Sequence, residues 1–72
     1  MRDFHDDAGR RWQVVVGKES WGTLVLLFTP HAGAGARTSI LTAETAFDAA
    51  AELDALTDDQ LRDRLRDSRP WP

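Results

Sequence analysis

The sequence predicts an α+β fold: a small antiparallel meander of about four strands, followed by two C-terminal helices packed on the sheet. Three observations on this 72-residue chain carry that expectation. Residues 1–42 hold short apolar runs with β-branched and aromatic side chains, separated by Asp-, Gly- and Pro-containing turns. Residues 43–67 change to apolar spacing of three and four, the period of a helix. No linker interrupts them, so the whole chain reads as one domain with residues 68–72 as an extended tail.

The first strand is Arg2 to His5, with Phe4 as its apolar residue. Asp6-Asp7-Ala8-Gly9 follows, where Asp supplies side-chain turn bonds and Gly a positive φ. In RRWQVVV, Trp12, Val14 and Val16 alternate with Arg11, Gln13 and Val15, so a hairpin brings Phe4 near Trp12. Gly17 to Gly22 forms the next turn and leads into Leu24-Val25-Leu26-Leu27-Phe28, which is apolar on both faces. A five-residue loop sets Trp12 and Val14 on the face of Leu24, Leu26 and Phe28, whereas a four-residue loop sets them with Val25 and Leu27. Neither register leaves a polar face. Pro30 ends this strand, HAGAGA connects, and Arg37 to Thr42 reads as the fourth.

Thr42 is placed to cap a helix from Ala43 to about Ala55, with Ala43, Ala46, Phe47, Ala50 and Leu53 along one side. Thr57-Asp58-Asp59-Gln60 matches a capping box, and Leu56 with Leu61 a hydrophobic staple. Asp58 and Asp59 suit the start of this second helix, Arg64 and Arg66 its end. Its large apolar residues are Leu61 and Leu65, a narrow stripe. Pro70 and Pro72 keep the tail around Trp71 extended.

Composition narrows the function classes. Cysteine is absent, which removes disulfides and thiolate metal sites, and a chain this short has only a marginal core. The formal net charge of −3, with the acid excess in the second half, argues against a nucleic-acid partner. The N-terminus has no signal-like apolar run and no stretch has the length of a membrane span, which points to the cytoplasm. Abundant Arg and Ala fit GC-rich coding and a bacterial type of protein.

Candidate chemistry is sparse. His5, Asp6 and Asp7 adjoin, but neighbours on a strand diverge, and two ligands make no selective metal site. HAGAGARTS lacks the third glycine of a dinucleotide loop and the Lys of a phosphate loop, and it leads into a strand. Ser20, Ser39 and Ser68 stand in no nucleophile motif. No catalytic, cofactor or metal residue is assigned, and no enzyme activity or small-molecule substrate is expected. What remains is the two-faced strand. The expectation is a protein–protein interaction module, a homodimer or an accessory subunit of a larger assembly, binding through Val15, Trp21, Val25, Leu27 and Trp71. The alternative is single-stranded nucleic-acid binding by Arg10, Arg11, Trp12, Lys18 and Trp21, which interleave bases with aromatics. A further arrangement would cover both faces, the first helix lying on one and the second helix with Trp71 on the other.

Overall fold

One carboxylate organises the first turn of the sheet. Asp6 Oδ1 accepts hydrogen bonds from the Ala8 and Arg10 amides at 2.9 and 2.8 Å. Its Oδ2 accepts one from Trp12 Nε1 at 2.9 Å. This joins β1 (Arg2–His5) to β2 (Arg11–Lys18), with Phe4 opposite Trp12 as the sequence predicts. The computed structural model describes residues 1–19, 21–33 and 35–71; the readings for Ser20, Ala34 and Pro72 fall outside the described residues.

Lys18 pairs with Leu24 at the start of β3 (Leu24–Pro30), so the loop has five residues, 19–23. That register puts Trp12, Val14 and Val16 on one face with Leu24, Leu26 and Phe28. β4 (Arg37–Ile40) pairs with β3, and the tail forms a short fifth strand, β5 (Arg69–Pro70), on β4. The strand order is β1-β2-β3-β4-β5, antiparallel throughout. Pro70 is tolerated because its neighbour Trp71 donates to Ala36 O at 2.8 Å. The Pro70–Arg37 pair therefore falls at a non-hydrogen-bonded position, where no N–H is needed.

Both helices, α1 (Ala46–Ala55) and α2 (Asp58–Arg66), lie on the Trp12 face. Ala49 and Leu53 of α1, with Leu61 and Leu65 of α2, pack into one core with Phe4, Trp12, Val14, Leu24, Leu26, Phe28 and Leu41. Phe4 meets Phe28 edge to face, ring centroids 5.9 Å apart. This corrects the arrangement with α2 on the opposite face. Only Leu56 and Thr57 separate the helices, too short a connection to carry the chain around a sheet edge. The narrow stripe of α2 suffices because α1 shares the same face.

The start of α1 is also corrected. The cap is Thr45, whose hydroxyl accepts from the Asp48 amide at 3.1 Å, and not Thr42. Leu41 is buried and still donates to Leu24 O at 2.9 Å, so the chain remains extended past β4 and cannot turn at Thr42. The helix phase moves accordingly: Ala49 and Leu53 face the core, and Phe47 is 82% exposed. The capping box of α2 forms as read, with Gln60 Oε1 accepting from the Thr57 amide at 2.8 Å.

Candidate interaction surface

Alternation along the strands dictates the other face. Across the ladders, Val15 opposes Leu27, Gly17 opposes Val25, and on β4 Thr38 opposes Leu27 and Ile40 opposes Val25. This is the apolar centre of a face over which neither helix packs. Val15 and Leu27 are partly exposed, and Ile40 is 58% exposed. Val25 is fully buried, so among the residues expected to meet a partner it is the one with no surface to offer. A Cβ built on Gly17 would sit 3.4 Å from Val25 Cγ2, so Gly17 lies directly alongside that side chain.

One end of this face is polar. Asp3 of β1 bonds Arg11 NH2 at 3.3 Å and His31 Nε2 at 3.3 Å. The hydrogen bond to His31, reinforced by Arg11, holds the Asp3 carboxyl below its ordinary range. Gln13 also contacts the Met1 sulfur here.

The other end runs into the β2–β3 loop, where Trp21 is 95% exposed. Gly22 N–H donates to Glu19 O and Glu19 N–H to Thr23 O, both at 2.9 Å, with Gly22 at φ 86°. Trp71 follows β5 and is 38% exposed. Beside it lies a cavity of about 330 Å³ lined by Glu19, Thr38, Ser39, Ile40, Asp67, Arg69, Pro70 and Trp71. Thr38 Oγ1 is buried there without a hydrogen-bond partner. A second, shallower hollow of about 230 Å³ lies between the β1–β2 turn and α2, where Arg66 bridges to Asp7 at 2.8 Å.

The basic and aromatic residues weighed for nucleic acid do not form one cluster: Arg10 lies with Trp12, and the Lys18 side chain lies beside Gly22 on the Trp21 loop. Trp12 is 5% exposed within the core, and Arg10 lies over its ring at 5.2 Å from the centroid. Arg11 points to the opposite face beside Asp3, and Lys18 sits at the far end of β2. A stacking platform needs exposed rings next to cations, and burial takes Trp12 out of that set. His5 is exposed, while Asp6 and Asp7 are engaged with the turn and with Arg66. Among the described residues no group of three or more His, Asp and Glu is placed to hold a metal ion. No helix of the described residues is long and apolar enough to cross a membrane.

Sequence reasoning missed the cavity, because its walls come from residues 19, 38–40 and 67–71, joined only when the tail pairs with β4. No local signal marks it: the tail is brought to the sheet by Arg37, which donates to Ser68 Oγ at 2.7 Å and to Ser68 O at 2.6 Å. Compared with known proteins, the chain matches no family model, no curated protein and no solved structure.

Proposed function

We propose that this protein is a non-enzymatic protein–protein interaction module that works as a homodimer, joined through the helix-free face of its sheet. The observation that carries the reading is the row of partly exposed Val15 and Leu27 and exposed Ile40 on the face without helices, opposite a face on which both helices pack.

A second copy fits this face better than the helical side. Residues 43–67 hold eight Asp or Glu against three Arg, so two helical layers would repel. On the sheet face, Asp3 is matched by Arg11, and the cavity rim mixes Glu19 and Asp67 with Arg69. The Cα extents of 32 × 26 × 18 Å leave room on the broadest side for the roughly 800 Å² per partner of a standard interface.

Magnitudes show what such a pair requires. Completing the burial of Ile40 and of the smaller exposed parts of Val15 and Leu27 on each of two copies gives on the order of 4 kcal/mol. Association itself costs on the order of 4–15 kcal/mol. The aliphatic centre alone is thus marginal, and Trp21 must contribute.

The test is solution mass by light scattering across a dilution series. The wild-type chain is expected to shift from monomer to dimer with concentration, and Leu27→Asp to stay monomeric while keeping its circular dichroism. A wild-type chain that remains a monomer at every concentration overturns the reading.

A further inference from the structure

Two features beside Glu19 are each incomplete and complementary. Trp21, two residues along the same loop, projects almost fully into solvent, and an exposed Trp is the side chain most suited to anchor an interface. The cavity beside Trp71 has an apolar wall of Ile40, Pro70 and Trp71, with the Glu19 and Asp67 carboxylates among its lining groups. An indole needs an apolar slot for its ring and an acceptor for its N–H, and this lining offers both.

Trp21 is close to this cavity but outside it. Glu19, two residues earlier on the same loop, lines the cavity, whereas Trp21 remains 95% exposed. A two-fold axis running between the loop and the cavity would carry each Trp21 toward the cavity of the other copy. Such a contact closes on itself, as a symmetric dimer requires: anchor and receptor lie on the same chain, and each is used once. We infer that in the homodimer the indole of Trp21 from each copy seats in the cavity beside Trp71 of the other. This rests on the proposed pairing through the sheet face and gives it a specific anchor. It also places an incoming indole against Ile40 and Trp71, side chains left partly exposed in the single chain.

The experiment measures the dimer dissociation constant by light scattering on the full chain and two variants. Trp21→Ala removes the anchor, and Ile40→Arg blocks the cavity; both positions are exposed, and circular dichroism checks that each variant folds. Each alone should weaken the dimer by on the order of 30-fold or more, the scale of an interface hot spot. Mixed together, they should associate more tightly than either does with itself, because one intact Trp21–cavity contact is restored. An unchanged constant for Trp21→Ala in a chain that does dimerise overturns the anchor and leaves the sheet-face pairing standing. Weakening by Trp21→Ala but not by Ile40→Arg overturns the cavity as its seat. A wild-type chain with no dimer at all overturns both.

Discussion

Asp6 does more for this fold than a turn residue usually does. Its two oxygens hold the β1–β2 turn through two backbone amides and fix the Trp12 indole, which lies in the core. The indole hydrogen bond is the main reason its carboxyl sits below the ordinary value of 3.8. The sign follows from linkage. A carboxylate whose folded pKa is depressed stabilises the fold above its unfolded value, and that contribution is lost as the pH falls through the folded value. Urea midpoints should therefore drop as the pH falls below about 4, and the drop should be smaller in Asp6→Ala. Asp3 is depressed as well, through His31 and Arg11, so the difference between wild type and variant is the quantity to compare. Equal drops in both would show that Asp6 carries none of the acid sensitivity. Asp-Gly turn chemistry was readable in the sequence. The reach of the same side chain to Trp12 was not, because it depends on which way the indole turns once packed.

At the scale of elements, the most informative junction is the end of α1. This helix has no basic residue in its last turn, yet its final carbonyls are not left bare. Arg2, from β1, donates to Leu53 O at 3.0 Å and to Leu56 O at 2.5 Å, and bonds Asp58 Oδ1 at 2.9 Å. One guanidinium thus joins the C-terminus of α1, the N-terminus of α2 and the edge strand. Arg2→Met keeps the aliphatic stem and removes these bonds, and should cost about 1–3 kcal/mol in urea unfolding. A loss under about 0.5 kcal/mol would place Arg2 among ordinary surface residues. The capping box of α2 was legible because all its parts lie within four residues. The start of α1 was misread because Leu41, held to β3, decides where the helix can begin. Thr45, which was not singled out in the sequence, supplies the cap through the Asp48 amide.

For the whole molecule, coupling between folding and pairing gives a measurable consequence. If two chains share the sheet face, folded protein is stabilised by mass action and its melting midpoint rises with concentration. A hundredfold increase should raise the midpoint by roughly 5–10 °C in wild type and leave Leu27→Asp unmoved. Scanning calorimetry at two concentrations distinguishes this from a monomer, whose midpoint is indifferent to dilution.

The sequence by itself determined the α+β class, the four meander strands, the capping box and an apolar excess on the middle strand. All of these follow from patterns local to a few residues, where periodicity and turn chemistry act directly. Only the folded chain shows which face the helices share, that the tail becomes a fifth strand, and that α1 begins after Thr45 and not Thr42. Those outcomes depend on contacts between residues tens of positions apart: Arg2 with Leu56, Arg37 with Ser68, Leu41 with Leu24. A two-residue connection between the helices forced both onto one side, and the other side of the sheet was left without a layer of its own.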